Sequence, residues 1–283
     1  MASTTITILC ENRACEMMGI TGEHGFSALV EKNGRKLLLD TGQGLTLGNN
    51  ARALSVDLGS IDKVALSHGH LDHTGGLSEL FFPQRNVEVV AHPDIFIPKY
   101  AEFMQGDTPV RYFIGIKNDR HFLEENRGLT FSLKREYEEI EPGIFFSGEV
   151  PRVTDYEKPD AHLKIKQGGE FIQDPLLDDS SLLIETDSGP VILTGCAHSG
   201  IVNVMEHFKE KSGHDSFYAV IGGTHLGFLG LGEQMNRTLE AFERFKLEKI
   251  AVSHCTGNEA AAICYNRFKE KFAFANAGWR ITL

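Results

Sequence analysis

The chain has 283 residues, 41% of them hydrophobic, which is enough to bury a sizeable core within one α/β domain. Its formal net charge of −11 argues against a nucleic-acid partner, because such partners normally bind a basic face that neutralises their phosphates. No apolar run approaches the ~18 residues that cross a membrane, and the first residues lack the pattern of a secretory signal, so we expect a cytoplasmic protein without a membrane segment.

The amino-terminal part of the chain predicts a hairpin followed by further strands and one short helix. Strand patterns occur at 6–9, 26–30, 36–39, 63–66 and 87–91. An Asn33-Gly34 turn joins the second and third of these strands into a hairpin. Apolar residues at helical spacing predict a short amphipathic helix over 49–58.

The pattern weakens from residue 92 to about residue 142, where prolines, aromatic residues and alternating charges interrupt it. We predict an insertion at about 92–142 that either roofs a cleft or forms a surface excursion without function. Strand character resumes at 144–146. The polar stretch 155–169, which carries three lysines, is predicted to be a loop.

The second half of the chain predicts another hairpin and then alternating helices and strands. The hairpin joins strands at 181–186 and 190–194. The later elements are a helix at 201–211, a strand at 217–221, a helix at 233–245, a strand at 249–252 and a helix at 259–272. Polar loops at strand ends are where α/β folds place their sites.

The stretch 67–76, SHGHLDHTGG, holds more metal-binding side chains than any other part of the chain. In extended backbone His68, His70 and Asp72 share one face. His73 then points away, unless the glycine turn that follows bends the chain and returns it to the same cavity. Two imidazoles, a carboxylate and a third imidazole suit a pair of adjacent metal ions.

The pattern His-x-His-x-Asp-His after a strand resembles the signature of the metallo-beta-lactamase superfamily, as does the strand that ends in Asp-Thr-Gly at 40–42. Four other stretches look like its branch of dihydropterin ribofuranosyl-aminobenzene phosphate synthases: GEHGFS at 22–27, TGCAHSG at 194–200, GGTHL at 222–226 and SHCTG at 253–257. The resemblance implies an αββα sandwich, with one domain over 1–283 and the site along one edge between two sheets.

We predict two divalent metal ions as cofactors, with zinc first and manganese or iron as alternatives. The candidate ligands are His68, His70 and His198 for the first ion, and Asp72, His73 and His254 for the second. His198 and His254 are chosen because each follows a strand and precedes a helix, which is the setting of the first motif.

Cys196 stands where most superfamily members carry an aspartate that bridges the ions. A thiolate at this position can ligate or bridge, or a hydroxide alone bridges. Many members also have a histidine before the second hairpin, where this chain has Asp178 and Asp179, so either is a reserve ligand. We expect Asp40 to lie behind the metal-binding imidazoles, where its carboxylate fixes the tautomer of one ring. Cys255 is expected to serve packing and not chemistry.

The candidate catalytic residues are Asp72 and His225, and the candidate substrate contacts are His24, His225 and Lys164. His24 and His225 lie in glycine-flanked loops that suit substrate contact or proton transfer, with an ordinary polar loop as the alternative. Lys164, together with Lys158 and Lys166, suits either a substrate phosphate or a solvated face.

A pair of ions at such a site would hold a water molecule, lower its pKa and polarise the atom that it attacks. The predicted function is therefore a metal-dependent hydrolase or related transferase that acts, through a metal-bound hydroxide, on a small anionic, phosphorylated or pterin-like substrate. The alternatives are an iron-dependent oxygenase or redox protein on the same fold, and a metal-binding sensor without turnover. The sequence leaves the oligomeric state open.

Overall fold

The computed structural model describes residues 3–228 and 231–283. The strands are β1 (Thr5–Cys10), β2 (Ser27–Lys32), β3 (Arg35–Leu39), β4 (Lys63–Ala65), β5 (Val87–Ala91), β6 (Lys99–Gln105), β7 (Thr108–Phe113), β8 (Leu129–Leu133), β9 (Glu138–Glu141), β10 (Ile144–Phe146), β11 (Leu163–Gln167), β12 (Glu170–Gln173), β13 (Ser181–Ile184), β14 (Val191–Thr194), β15 (Ala219–Gly223), β16 (Lys249–Ser253), β17 (Phe272–Phe274) and β18 (Arg280–Thr282). The helices are α1 (Leu47–Ala53), α2 (Leu71–Thr74), α3 (Arg120–Arg127), α4 (Ile201–Ser212), α5 (Glu233–Arg244) and α6 (Asn258–Phe268).

Two seven-stranded sheets face each other, with strand orders β18-β1-β2-β3-β4-β5-β8 and β17-β16-β15-β14-β13-β10-β9. Alternation along β3 sends Leu37 and Leu39 into the core between the sheets and Leu38 into the core on the outer face. Helices α4, α5 and α6 cover the outer face of the second sheet, while α1 and α3 pack on the first. The predicted αββα sandwich is confirmed.

The strands that precede the motifs run parallel within each sheet. In the first sheet β3, β4 and β5 are parallel, and in the second sheet β14, β15 and β16 are parallel. Their carboxyl ends carry the loops with the histidines, so both sheets deliver polar side chains to one edge of the sandwich. Among the described residues, no helix has the length and apolar character to cross a membrane.

A third sheet, which we call the accessory sheet, has the strand order β12-β11-β6-β7. The prediction of a loop over 155–169 is wrong, because Leu163–Gln167 forms β11 between β6 and β12. Leu163 and Ile165 are its two buried residues, and the lysines that alternate with them made the segment look like a polar loop. The accessory sheet therefore draws on two separate parts of the chain.

Other element bounds also differ from the prediction. The range 92–142 contains β6 and β7, but also β8, which pairs with β5 in the first sheet. The helix predicted over 49–58 spans Leu47–Ala53. The helix predicted over 259–272 ends at Phe268, because Lys269 has a left-handed φ of 48° and β17 begins at Phe272.

Glu157 supports the loop that carries His198. Its buried carboxylate accepts the backbone N–H groups of Val202 (2.9 Å) and Asn203 (2.8 Å) in the first turn of α4. Gly200, with a φ of 100°, must be glycine because a Cβ would collide with this carboxylate. Burial raises the pKa of Glu157 to about 7, and the two N–H groups offset this effect only in part.

This shift predicts a pH dependence of stability. The pKa of Glu157 in the folded state lies above the ordinary value of 4.5. The contribution of Glu157 to the free energy of unfolding is therefore complete below pH 4.5 and is lost as the pH rises through about 7. Between about pH 5 and pH 8, the free energy of unfolding should fall by about 2 kcal/mol more in the parent than in Glu157→Gln. Urea unfolding of both proteins at both pH values measures this difference, and equal pH dependence would contradict it.

Candidate metal centre

Three histidines converge at the first ligand group, His68, His70 and His198. The chain stays extended through His70, which has φ −75° and ψ 148°, and so His68 and His70 share one face. His68 Nε2 lies 2.8 Å from His70 Nδ1 and 3.2 Å from His198 Nε2. One nitrogen from each residue lies within 4.8 Å of the others, which is the spacing of ligands around one ion.

The second ligand group consists of Asp72, His73, Cys196 and His254. Helix α2 begins at Leu71, and this turn returns His73 to the cavity. His73 Nε2 lies 3.2 Å from both Cys196 Sγ and His254 Nε2, and Asp72 Oδ2 lies 3.2 Å from His254 Nε2. Cys196 also lies within 4.8 Å of ligand atoms of His68 and His73, so its sulfur stands between the two groups.

The donor atoms fit divalent metal ions. His68 Nε2 has two nitrogen neighbours, His70 Nδ1 and His198 Nε2, but one imidazole nitrogen cannot form good hydrogen bonds with both. The three nitrogens therefore indicate lone pairs that point at a shared cation. Burial lowers the pKa of His70 to about 3, and it lowers the pKa values of His68 and His198 well below 6.5. These imidazoles are therefore neutral, which is the form that binds metals.

Charges in the second ligand group are balanced differently. Burial alone would lower the pKa of His73, but the carboxylates of Asp40 and Asp72 raise it to about 9. Burial also opposes ionisation of Asp72, yet His73, His24 and His254 hold its pKa well below 3.8. Burial raises the pKa of the Cys196 thiol well above 9.0, so ionisation of this thiol requires a cation beside it.

Asp40 orders the imidazoles from behind. His73 Nδ1 donates to Asp40 Oδ2 (2.7 Å), and the Ser67 backbone N–H and hydroxyl both donate to the same carboxylate. Ser67 Oγ in turn lies 2.9 Å from His68 Nδ1. Gly195 has no room for a Cβ, which would collide with Ser67 and Asp40. These contacts fix the ring orientations that the two ligand groups require.

Backbone strain is concentrated at this site. Among the described residues, nine non-glycine residues have a positive φ, and four of them, Asp40, Ala197, His225 and His254, lie in the site loops. Each such conformation costs about 1–3 kcal/mol and persists only when surrounding contacts enforce it. One such contact is made by His254, whose backbone N–H donates to Glu11 Oε1 (2.6 Å).

The predicted substrate contacts have different outcomes. His24 lies at the cavity mouth with its side chain 58% exposed and its Nε2 3.2 Å from Asp72 Oδ2. His225 is buried against the ring of His198 (4.2 Å between centroids), and neither ring nitrogen has a hydrogen-bond partner among the described residues. Lys164 is not brought to the site: Leu163 lines the cavity, and Lys164, on the opposite face of β11, lies 3.9 Å from Glu102.

The reserve ligands also lie outside the two ligand groups. Asp178 accepts hydrogen bonds from Lys99 Nζ (2.9 Å) and from the Gly69 backbone N–H (2.8 Å). Asp179 accepts one from the Ser199 backbone N–H (2.7 Å). Lys99 is buried on β6, so Asp178 connects the accessory sheet to the metal-binding loop. Both oxygens of Asp178 and one oxygen of Asp179 therefore accept hydrogen bonds that support neighbouring loops, whereas Asp179 Oδ1 is buried and has no hydrogen-bond partner among the described residues.

Several residues of the site were not predicted from the sequence. Cys255 was expected only to pack, yet its sulfur lies within 4.8 Å of donor atoms of Cys196 and His254. Its position next to His254 was the one available signal. Asp160 lies 3.7 Å from His225 Nε2, and nothing local marks it, because the contact depends on how a distant segment crosses the site.

A cavity of about 410 Å³ opens over the two ligand groups. Its floor includes His70, Asp72, Cys196, His198 and His254. Its outer part is formed by the accessory sheet and the segments beside it, namely Ala101, Phe103, Ile114, Asp160, His162, Leu163 and Phe228. Of these, Ala101, Phe103 and Ile114 belong to the segment predicted as an insertion.

An αββα sandwich with histidine-rich loops from both sheets at one edge defines a metal-binding enzyme fold of the metallo-beta-lactamase type. The sequence model of the metallo-beta-lactamase superfamily matches residues 20–254, and the chain belongs to this superfamily. The predicted superfamily membership is confirmed.

Individual relatives narrow the comparison. The 7,8-dihydropterin-6-methyl-4-(beta-D-ribofuranosyl)-aminobenzene-5'-phosphate synthase of Methanocaldococcus jannaschii is 33% identical over 96% of this chain and 94% of its own. The crystal structure of Tm1679, a metal-dependent hydrolase of the beta-lactamase superfamily, matches with a TM-score of 0.83 and 28% identity over 99% of both chains. Zinc-bound PqqB from Methylobacterium extorquens matches with a TM-score of 0.56 and 15% identity, over 99% of this chain and 100% of that chain, and shows likeness of fold alone. The predicted resemblance to the dihydropterin-related branch is confirmed by the first relative.

Proposed function

We propose that this protein is a metal-dependent hydrolase or related transferase that acts on a small phosphorylated substrate with a pterin-like ring. The observation that carries the proposal is the convergence of both ligand groups on the floor of one cavity. The name of the Methanocaldococcus relative, which contains a dihydropterin and a 5'-phosphate, supports the substrate class.

The donor set bears on the choice of metal. Imidazole and thiolate donors suit zinc and iron, whereas manganese prefers oxygen donors, so we propose zinc at both positions. When bound, such ions lower the pKa of a water molecule and polarise a phosphoryl or carbonyl oxygen.

Residues of the chain supply the positioning. Asp72 Oδ2 lies 3.2 Å from Nε2 of both His24 and His254. The carboxylate therefore orients these two imidazoles beside the cavity. His225 lines the same cavity, and neither of its ring nitrogens has a hydrogen-bond partner among the described residues, although Nε2 lies 3.7 Å from Asp160. His225 is therefore placed to donate a proton to a substrate oxygen as the product leaves. His24 at the mouth is placed to contact the substrate at the edge of the cavity.

The test is turnover of small phosphodiesters and phosphorylated heterocycles by metal-loaded protein. His225→Gln should lower kcat by about 10²-fold or more, which is the usual contribution of a general acid. His121→Gln is the matched control, because His121 is an exposed histidine on α3. Equal kcat for His225→Gln and the parent would remove His225 from the proposed chemistry.

Nucleic acids provide the contrasting substrates. Metal ions in an acidic chain concentrate positive potential at the site, which favours a small anion over a long polyanion that meets the negative surface. We expect little or no processing of tRNA or duplex DNA. Efficient cleavage of a structured nucleic acid, without activity on small esters, would overturn the proposal.

Metal analysis distinguishes the two alternative functions. Iron with turnover that requires oxygen or a reductant would identify a redox protein on this fold. Bound metal with no turnover across esters, lactones and phosphodiesters would identify a sensor.

A further inference from the structure

We propose that the outer part of the cavity is a recognition site for a flat heteroaromatic ring with adjacent N–H donors on its edge. In this site Phe103 and Phe228 contact the faces of the ring, and Asp160 accepts hydrogen bonds from its edge. The inference rests on the proposed function, because it assigns the residues that select the ring-bearing part of the same substrate.

One aromatic platform is built by the accessory sheet. Phe103 on β6 is 50% exposed and stacks on His162, with 5.4 Å between ring centroids and 23° between ring planes. His162 is held in place by Glu102: its Nδ1 lies 3.0 Å from the Glu102 carbonyl oxygen, and its own carbonyl accepts the Glu102 backbone N–H (2.8 Å). The platform is therefore fixed before any ligand arrives, which favours binding of a rigid flat ring.

A second platform comes from the core of the site. Phe228 is 60% exposed and stacks on His225, with 5.0 Å between ring centroids and 29° between ring planes. Phe103 and Phe228 line the same cavity, although they come from the accessory sheet and the loop after β15. Exposed aromatic faces inside a concave site are the usual contacts of planar ligands.

Two polar side chains also line the cavity, and the contact between them is long. Asp160 Oδ2 lies 3.7 Å from His225 Nε2, which allows an ion pair but is beyond hydrogen-bond distance. Both ring nitrogens of His225 lack a partner among the described residues, although His225 is only 5% exposed. A buried polar side chain without a partner in a cavity marks a position where a ligand makes the missing contact.

Asp160 determines which ring edge fits. Its Oδ1 accepts the His162 backbone N–H (2.9 Å), but a carboxylate has about four acceptor positions, so capacity remains for a ligand. A 2-amino-4-oxopyrimidine edge presents two adjacent N–H donors that match such a carboxylate, whereas a 2,4-dioxo edge lacks the exocyclic amino group. With the reacting end on the cavity floor, the ring would lie outward under the accessory sheet.

Equilibrium binding of pterin and of lumazine, its 2,4-dioxo analogue, tests the inference without turnover. The parent should bind pterin at least about tenfold more tightly than lumazine, because lumazine lacks the amino group that would donate one of the two hydrogen bonds to Asp160. Asp160→Asn should abolish this preference. Phe103→Ala should weaken pterin binding about tenfold, while Phe103→Tyr should retain it, because ring stacking needs only an aromatic face.

Phe113→Ala is the matched control, because Phe113 is a 47% exposed phenylalanine on β7 of the same sheet and is not among the residues that line the cavity. Phe103 is half exposed, so its variants should keep the fold, which circular dichroism checks. If small phosphodiesters are turned over but pterin and lumazine bind alike, or Phe103→Ala and Asp160→Asn bind pterin as the parent does, the ring site is wrong, and the metal-dependent hydrolysis or transfer in the proposed function stands. If pterin binds as expected without any turnover, the ring site stands and the proposed function fails.

Discussion

His70→Ala is expected to lose at least one of the two transition-metal ions that we expect per chain, together with activity. His70 Nδ1 faces His68 Nε2 at 2.8 Å in the first ligand group, and alanine leaves an incomplete set of donors there. Removal of a group that merely supports a ligand typically lowers metal affinity 10–100-fold, so loss of a ligand should cost about 100-fold or more. Elemental analysis after dialysis, with competition titration against a chelator, measures the loss.

His121→Ala is the control for this variant, since His121 is exposed and is not among the residues that line the cavity. His70 is buried in the loop after β4 and is not part of either sheet, so we expect His70→Ala to keep the circular dichroism spectrum of the parent. Full metal occupancy in His70→Ala would contradict the ligand assignment.

Cys196 is expected to contribute to binding of the second metal ion. Its sulfur lies 3.2 Å from His73 Nε2 and stands between the two ligand groups. Cys196→Ser should weaken metal binding, because a hydroxyl is a poorer ligand than a thiolate, whereas Cys196→Asp should retain or strengthen it by restoring a carboxylate. Substitution of cobalt for the native metal provides a spectroscopic measurement: the sulfur-to-cobalt charge-transfer absorption should diminish in both variants.

Cys264→Ser is the matched control, because Cys264 is a fully buried thiol in α6 and packs in the core on the outer face of the second sheet. It should keep both the absorption and the metal content of the parent. Cys255→Ser separates the contribution of the neighbouring thiol. If Cys196→Ser and Cys196→Asp match the parent in metal affinity and in absorption, Cys196 only packs.

The fold and the superfamily could be predicted from the sequence because both depend on local spacing. The Leu37-Leu38-Leu39 run indicates a strand buried on both faces, and the structure places its side chains in two different cores. The His-x-His-x-Asp-His pattern after β4 likewise concentrates metal donors within one loop, whatever the rest of the chain does. The strand at 163–167 was not predicted, because its alternating lysines are typical of a polar loop when local spacing alone is considered. It is a strand because it pairs with β6 and β12.

The sequence by itself determined the donor types, their order along the chain and the strand ends that carry them. Only the tertiary structure decided which donors meet: α2 turned His73 inward, Lys99 and the Gly69 N–H engaged Asp178, and Asp160 reached His225 from the segment before β11. These contacts join residues far apart in sequence, so no local pattern encodes them. They depend on the packing of two sheets and an accessory sheet around one edge, where a side chain's partner is set by the path of the whole chain.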